Sequence, residues 1–237
     1  MIMMGATPFV TAVIVAAGNS TRMGTVTSKQ FIPLLGKPAI SYTLAAFEEA
    51  ESINEVVVVC RESDLKQIKV IAESEKFKKI KAFVFGGATR SESVKAGIMA
   101  SSEISTHFAI HDGARPLILS GDINRVTSVA IESGAAALGV PVTDTIKVVD
   151  TDGYIVSTPV RSDLRSAQTP QVFEKKLYLS ALKNTKGKEF TDDCALVETE
   201  GARVKIVDGD YTNIKLTTIQ DIPLAEGILN RREKGEV

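Results

Sequence analysis

The sequence predicts an α/β protein built on a doubly wound, mostly parallel, Rossmann-like sheet. Apolar, β-branched segments alternate with segments of helical periodicity from residue 9 to residue 142. Residues 55–60 include four consecutive valines, a pattern typical of a strand covered on both faces. Unusual turns follow Ala16, Phe85 and His111 at the carboxyl ends of predicted strands, where ligands bind in such sheets. We therefore expect the three turns to meet at one site.

The elements are assigned in order from the spacing of their apolar residues. Ile40, Leu44 and Phe47 recur at the spacing of one helix face, and Leu65 and Ile68 do the same further along. The predicted strands cover residues 9–16, 55–60, 82–85, 108–111 and 135–142, and the predicted helices cover residues 38–50, 63–75, 90–100 and 122–132. Strands joined by helices in this way are expected to be parallel.

The alternation ends at Thr143. Two apolar segments there flank a Gly-containing turn and predict a β-hairpin arm that projects from the sheet. The hairpin strands are predicted over residues 146–149 and 154–156, later helices over 174–183, 192–200 and 219–232, and short strands over 204–207 and 213–216. The simplest organisation is a single domain over residues 1–237, with the arm at about residues 143–161.

The composition excludes several classes of protein. The net charge is −1, so no overall positive field attracts nucleic acid or an acidic membrane, and local cations must hold any anionic ligand. Cys60 and Cys194 form no CxxC pair, which disfavours a zinc site or a disulfide framework. We see no membrane helix and no signal peptide. We expect a soluble, cytoplasmic protein that binds neither nucleic acid nor a membrane.

The turn after the first predicted strand has the character of a phosphate site. Ala16, Ala17 and Gly18 are small enough to let backbone N–H groups approach a phosphate. Arg22 and Lys29 add cations that can stabilise the charge on a phosphorus under attack. The glycine spacing matches neither a P-loop nor a dinucleotide fingerprint. A nucleoside triphosphate is the favoured ligand, and an ordinary tight turn is the alternative.

The turn after the third predicted strand contains two adjacent glycines. Gly86 and Gly87 leave backbone amides and carbonyls accessible to the edge of a base, and Ser93 adds a hydroxyl. The alternative is a capped helix start, with Ser91 as the cap and Val94 in the core.

The turn after the fourth predicted strand carries an aspartate. Asp112 suits Mg²⁺, which prefers one or two carboxylates together with phosphate oxygens and water. Gly113 permits close backbone approach. We expect His111 to be a core histidine with satisfied hydrogen bonds rather than a catalyst. The alternative for Asp112 is a residue that only forms the turn.

Together these motifs resemble the 2-C-methyl-D-erythritol 4-phosphate cytidylyltransferase family over nearly the whole chain. The matching segments, in order, are Ala16-Ala17-Gly18 with Arg22-Met23, Lys29-Gln30-Phe31, Gly86-Gly87 with Arg90 and Ser93-Val94, His111-Asp112-Gly113-Ala114-Arg115-Pro116, Asp144-Thr145-Ile146-Lys147, Thr169-Pro170-Gln171 with Thr191-Asp192, and Asn213-Ile214-Lys215-Leu216-Thr217. Two positions depart from the pattern. Ser20 replaces a common glycine, and Ala88 replaces a polar residue found in some relatives.

The resemblance implies a nucleotidyltransferase-type fold and a reaction between CTP and a polyol phosphate, with Mg²⁺ on Asp112. A phosphate oxygen of methylerythritol phosphate would attack the α-phosphorus in line, and pyrophosphate would leave. The implied catalytic residues are Arg22, Lys29, Arg161 and Lys215. The implied nucleotide-binding residues are Ala16, Ala17, Gly18, Gly87, Ala88, Ser93, Asp112 and Gly113. The implied substrate-binding residues are Arg115, Thr145, Arg161, Thr169, Thr191 and Lys215.

The arm predicts a homodimer. A two-stranded ribbon is marginal by itself in water, and Val148, Ile155 and Val156 would be exposed on it. Pairing with the arm of a second chain buries them symmetrically. The resemblance further implies that Thr145 and Arg161 reach the neighbour's substrate pocket. The alternative is an arm folded back on its own subunit.

Three other functions remain open from the sequence. A ribitol-5-phosphate cytidylyltransferase would share the nucleotide half and the arm. A regulatory nucleotide-binding module without turnover is disfavoured because a mere binder has little need for Arg22, Lys29 and Asp112 together. A dinucleotide-binding oxidoreductase is disfavoured because the fingerprint is incomplete.

Overall fold

The structure is a computed structural model that describes residues 7–18, 28–185 and 190–236. The strands are β1 Val10–Val15, β2 Pro33–Leu34, β3 Lys37–Pro38, β4 Glu55–Cys60, β5 Ile80–Phe85, β6 His107–Asp112, β7 Ala135–Pro141, β8 Val148–Val149, β9 Ile155–Ser157, β10 Arg165–Glu174 and β11 Lys205–Asp208. The helices are α1 Ala39–Glu49, α2 Leu65–Ser74, α3 Arg90–Met99, α4 Ser120–Ser133, α5 Lys175–Asn184, α6 Asp193–Glu198 and α7 Asp221–Glu233. Among these residues, no helix has the length and apolar character needed to cross a membrane.

Seven strands form one sheet in the order β11-β7-β10-β6-β1-β4-β5. The pairings are parallel, except that β10 runs antiparallel to both β6 and β7. The order reverses direction on either side of β1, as in doubly wound sheets, and the carboxyl ends of β1 and β6 lie side by side there. The predicted fold class is confirmed.

The helices cover both faces of the sheet because the strand side chains alternate in direction. Ala12 and Ile14 of β1 pack with α1, α2 and α4, whereas Val13 packs with α3, α5 and α6 on the opposite face. Gly97 brings α3 close to the sheet, since an added Cβ there would overlap the side chains of Val13 and Val59. All six residues of β4 are buried, as their valine run predicts.

The sequence prediction misses one strand and places another where the structure has none. The strand β10 was not predicted, because Pro170 lies within it and proline argues against a central strand. The ladder between β10 and β7 is irregular between Ala167 and Gln171, which accommodates the proline. The strand predicted over residues 213–216 is wrong. That segment has no regular secondary structure, and the Leu216 N–H donates to the Ala114 carbonyl at 2.8 Å.

The predicted hairpin is confirmed as β8 and β9, which pair only with each other in the described chain. The Asp150 carboxylate closes the turn by accepting from the N–H groups of Asp152 and Tyr154, at 3.0 and 2.9 Å. Gly153 has a φ of +87°, a conformation that side chains disfavour. The large apolar side chains of this segment are exposed: Ile146, Val148, Val149, Tyr154, Ile155, Val156 and Val160.

Candidate active site

A cleft of about 230 Å³ opens at the carboxyl ends of β1, β5 and β6. Its lining comes from the three unusual turns and from two further segments, which contribute Lys29 and Lys215. The lining residues are Val15, Ala16, Ala17, Gly18, Lys29, Gln30, Gly87, Ala88, Thr89, Arg90, Ser93, Asp112, Ala114 and Lys215. The predicted convergence of the three turns is therefore confirmed.

Most of the predicted nucleotide-binding residues meet in this cleft, together with both of the predicted catalytic lysines. The predicted site residues that line it are Ala16, Ala17, Gly18, Lys29, Gly87, Ala88, Ser93, Asp112 and Lys215. Gly113 is buried, and an added Cβ would come within 3.1 Å of both Ala16 and Ile40. Arg22 and Ser20 lie outside the described residues.

The other predicted substrate residues lie away from the cleft lining in the described chain. Thr145, Arg161 and Thr191 are exposed. The Arg161 Nη1 atom donates to the Thr143 carbonyl at 3.0 Å, at the base of the arm. Arg115 donates to the Asn213 carbonyl, and the Thr169 hydroxyl accepts from the Asp112 N–H. The substrate contacts of these five residues stay predictions.

The turn at residues 86–93 starts α3 with a capping box. The alternative interpretation of this turn, a capped helix start, is confirmed, but the cap is Thr89 and not Ser91. The Thr89 hydroxyl accepts from the Glu92 N–H at 3.1 Å, and the Glu92 carboxylate accepts from the Thr89 N–H at 3.2 Å. Val94 is fully buried, as expected. Close packing explains Gly86, because an added Cβ there would overlap Ala17.

The backbone amides of this turn are not bare, contrary to the sequence prediction. The Gly87 N–H donates to the Ser93 hydroxyl at 3.1 Å, and the Ala88 N–H donates to the Glu92 carboxylate at 2.7 Å. The Ser93 hydroxyl in turn donates to the Thr89 carbonyl at 3.0 Å. The carbonyls of Gly87 and Ala88 have no donor among the described residues. This side of the cleft therefore presents acceptors.

Asp112 is the centre of charge in the cleft. Its carboxylate accepts from Arg90 Nε at 3.1 Å and from Lys215 Nζ at 2.6 Å. Burial alone would raise the pKa of Asp112, but these two cations hold it well below its usual range. Asp112 is therefore anionic at neutral pH and is held between its two cationic partners.

Sequence reasoning gave no role to Arg90, although it stands in a motif that carries the resemblance. Its guanidinium joins Asp112 to Asp193, whose carboxylate lies 2.7 Å from Arg90 Nη1. Burial alone would lower the pKa of Arg90, but the two carboxylates raise it above its usual value. Tyr178 donates to Asp193 at 2.6 Å, and the Gln171 side chain accepts from the Asp193 N–H at 3.0 Å. This buried network fixes Arg90 beside the cleft.

His111 is a satisfied core histidine, as expected. Burial lowers its pKa to about 3, so the ring is neutral at physiological pH. Nε2 lies 3.2 Å from the Arg115 carbonyl, which can only accept, so Nε2 carries the proton. Nδ1 is then the acceptor for the Thr169 hydroxyl at 3.0 Å. The same hydroxyl accepts from the Asp112 N–H at 3.1 Å, so Thr169 holds the backbone of the central carboxylate.

Thr169→Val is expected to destabilise the protein by about 1–3 kcal/mol, because it leaves the buried Asp112 N–H and the His111 Nδ1 atom without partners. Urea unfolding followed by circular dichroism measures the change. Thr169→Ser keeps the hydroxyl and is the matched control. Equal unfolding midpoints for the valine and serine variants would show that the hydroxyl contributes nothing.

Arg115 is a partly buried cation behind the cleft. Its Nη1 atom donates to the Asn213 carbonyl at 2.7 Å, while its buried Nε has no hydrogen-bond partner among the described residues. Burial lowers its pKa. The Asn213 amide also donates to the Thr169 carbonyl at 3.1 Å.

Asp112 is the carboxylate available for a metal ion in the cleft lining of the described chain. No group of three or more His, Cys, Asp or Glu residues that could hold a metal occurs among the described residues. An ionised carboxylate has about four acceptor positions, and Arg90 and Lys215 use two of them. Asp112 therefore fits a cation such as Mg²⁺, which takes few protein ligands and completes its shell with phosphate oxygens and water.

A doubly wound sheet with a glycine turn and two lysines around an ionised carboxylate defines a nucleotide-handling enzyme of the nucleotidyltransferase class. The chain belongs to the 2-C-methyl-D-erythritol 4-phosphate cytidylyltransferase family, whose model matches residues 10–231. The protein of that name from Caldanaerobacter subterraneus subsp. tengcongensis is 46% identical over 228 residues, which cover 94% of this chain and 99% of the relative. The protein of that name from Desulforamulus reducens is 43% identical, with 94% and 97% covered.

Solved structures agree with this assignment. The 4-diphosphocytidyl-2C-methyl-D-erythritol synthase of Anaerococcus prevotii superposes with a TM-score of 0.85 and 31% identity, covering 94% of this chain and 97% of that one. The 2-C-methyl-D-erythritol 4-phosphate cytidylyltransferase of Thermus thermophilus gives a TM-score of 0.76 and 33% identity, covering 94% and 99%.

Proposed function

We propose that this chain joins CTP and 2-C-methyl-D-erythritol 4-phosphate to give 4-diphosphocytidyl-2-C-methyl-D-erythritol and pyrophosphate, in non-mevalonate isoprenoid biosynthesis. A phosphate oxygen of the polyol phosphate forms a bond to the α-phosphorus of CTP, and the bond from that phosphorus to the bridging oxygen of the β-phosphate breaks. The observation that carries the proposal is the ionised Asp112 between Arg90 and Lys215, in a cleft that Lys29 and the glycine turn also line. The names of the relatives favour this substrate over ribitol 5-phosphate.

The protein's contribution to the reaction is position and charge. The α-phosphorus gains negative charge as it is attacked, and Lys29 and Lys215 line the cleft where that charge would develop. Arg22 is assigned the same task from the sequence. No covalent intermediate is required, which agrees with the absence of a recognisable nucleophile motif from the sequence.

The choice of base is supported by the acceptor character of the turn at residues 86–93. The carbonyls of Gly87 and Ala88 match the exocyclic amino group of cytosine. Uracil carries an acceptor at that position, which would face these carbonyls without a hydrogen. CTP is therefore the nucleotide that this side of the cleft favours over UTP.

Asp112 is the residue that would hold Mg²⁺. When bound, the ion would neutralise phosphate charge and orient the triphosphate. Lys215 and Arg90 keep the carboxylate ionised, so it is ready to act as a ligand at neutral pH. The buried free thiols of Cys60 and Cys194 suit the reducing cytoplasm, where we propose that the enzyme acts.

The proposed function is tested by mixing the protein with Mg²⁺, CTP and each polyol phosphate in turn while pyrophosphate is detected. We expect release with methylerythritol phosphate, much slower release with ribitol 5-phosphate, and much slower release when UTP replaces CTP. Release with neither polyol phosphate would rule the proposal out. Faster release with ribitol 5-phosphate would reassign the substrate.

We also propose that the chain forms a homodimer through its arm, with active sites shared between subunits. The exposed fractions of Tyr154, Ile155 and Val156 are 74%, 62% and 65%, and a second arm would cover them. Thr145 and Arg161 flank the hairpin and lie away from the cleft lining of their own described chain. This position is consistent with a role in the active site of a second subunit.

Subunit mixing gives an expected outcome for this arrangement. Arg161→Ala chains and Lys29→Ala chains should each be inactive, and their mixture should recover part of the wild-type activity. Heterodimers would then contain one site with both residues intact. Sedimentation measures the oligomeric state, and labelled chains report subunit exchange. A monomer, or no recovery after proven exchange, would contradict the shared site.

A further inference from the structure

The Asp64 carboxylate is buried on the connection between β4 and α2, with 6% of the residue exposed. It accepts hydrogen bonds from Ser28 Oγ at 3.1 Å and from Gln30 Nε2 at 2.7 Å. The Arg61 guanidinium supplies two more donors, at 2.9 and 3.1 Å. The adjacent Ser63 hydroxyl donates at 3.2 Å, so four other residues converge on one carboxylate as hydrogen-bond donors.

These contacts replace the local bonds that the same side chains ordinarily make. Asp64 occupies the cap position of α2, where an aspartate normally accepts from an N–H of the first turn, but it makes no such bond. Ser28 precedes the short helical turn Lys29–Phe31 and likewise makes no capping bond with its side chain. Both side chains are directed instead at one another across 36 positions of sequence.

Gln30 connects this cluster to the cleft. Its Nε2 atom donates one hydrogen to Asp64 and the other to the Ala16 carbonyl, at 2.7 and 2.8 Å. Gln30 and Ala16 both line the cleft, whereas Asp64 does not. Lys29 lies between the two residues that Asp64 holds. We call Ser28, Gln30 and Asp64 the Asp64 clamp.

We propose that Asp64 is a positioning residue for cytidylyl transfer. Through its hydrogen bonds to Ser28 and Gln30, it fixes the positions of Lys29 and of the Ala16 carbonyl relative to the bound triphosphate. The inference rests on the proposed function for its effect on turnover. Holding a reacting group in place contributes to the rate because small displacements of aligned charges are costly in the transition state. A residue that only stabilised the fold would affect activity by the same factor whether or not Lys29 was present.

Asp64→Asn is the test, because it removes the carboxylate charge and places an amide NH₂ against the donors of Arg61 and Gln30, which have no acceptor atom there. We expect kcat to fall by about 10- to 100-fold, the usual range for residues that support a functional group from behind. The KM for CTP should change much less. Ser28→Ala removes one donor but leaves Gln30 and Arg61 on the carboxylate, so it should lower kcat by a smaller factor.

A double-mutant cycle decides whether the effect passes through Lys29. Asp64→Asn should cost little further activity in a Lys29→Ala background, whereas independent effects would multiply. Arg61→Gln removes the ion pair to Asp64 but leaves Ser28 and Gln30 in place, so it is the matched control and should keep nearly wild-type kcat. Multiplying effects in the cycle, or an equal loss in Arg61→Gln, would overturn the proposal.

Hydrogen–deuterium exchange gives a readout that does not depend on the reaction. In Asp64→Asn, the peptides that cover residues 28–31 should exchange faster than in wild type, and peptides from α5 should not change. Unchanged exchange at residues 28–31 would overturn the clamp whatever the enzyme's substrate. Absence of turnover in the wild-type protein would instead count against the proposed function.

Discussion

Lys29→Ala is expected to lower kcat for cytidylyl transfer by about 10³-fold or more, with little loss of stability. Lys29 lines the cleft beside the glycine turn, and a cation aligned with a transferring phosphoryl group commonly contributes a factor of that order. Its contribution grows as charge develops, so kcat should fall more than the affinity for CTP. Steady-state pyrophosphate release and thermal unfolding measure the two effects.

Lys37→Ala provides the matched control for this prediction. Lys37 is also a lysine near the start of the chain, but it is exposed and pairs with Glu75 at 3.9 Å on the surface. Exposed pairs contribute little, so this variant should keep wild-type turnover. Near-wild-type kcat in Lys29→Ala would remove Lys29 from the catalytic set. Arg22→Ala is expected to resemble Lys29→Ala, from the sequence alone.

The sheet and its helices were predictable because their apolar residues follow simple periods. The four valines of β4 are typical of a strand covered on both faces. The buried residues of α1 and α2 recur at the spacing of one helix face. The meeting of three distant turns followed from topology, since the carboxyl ends of parallel strands share one edge of the sheet.

The strand β10 could not be predicted for a physical reason. Its buried part contains Gln168, Thr169 and Gln171, polar residues that a periodicity argument assigns to a loop. Their burial is compensated by partners far away in sequence. Gln171 accepts from the N–H of Asp193, and Thr169 bonds His111 and Asp112. Only the folded chain brings these partners together.

The candidate site likewise contains residues that the sequence indicates and residues that only the folded chain indicates. Residues in compact motifs, such as Gly18, Asp112 and Lys215, could be assigned because their types and order resemble a known pattern. The role of Arg90 depends on Asp193, which lies 103 positions away, so no local spacing indicates the pair. Asp193 follows Asp192, whose side chain caps α6. Nothing in the sequence indicates which of the two carboxylates pairs with Arg90.

Asp112→Asn is expected to raise the Mg²⁺ concentration needed for half-maximal activity by about 100-fold or more. A neutral amide is a poor ligand for a hard cation that takes few protein groups. One unit charge at contact distance contributes about 4 kcal/mol at an effective dielectric constant of 20, which supports a loss of that order. The asparagine NH₂ would also face Arg90 or Lys215, both of which are donors, so their positions should loosen.

The control is Glu103→Gln, which neutralises an exposed carboxylate in the loop before β6, at the opposite edge of the sheet from the cleft. Its magnesium titration should match that of the wild type. Circular dichroism establishes that the Asp112→Asn protein is folded before its titration is compared. If the folded variant reaches wild-type activity at the same Mg²⁺ concentration, Asp112 is not the ligand and serves only to hold Arg90 and Lys215. If the titration shifts as expected, the charge that those two cations keep on Asp112 is what recruits the ion.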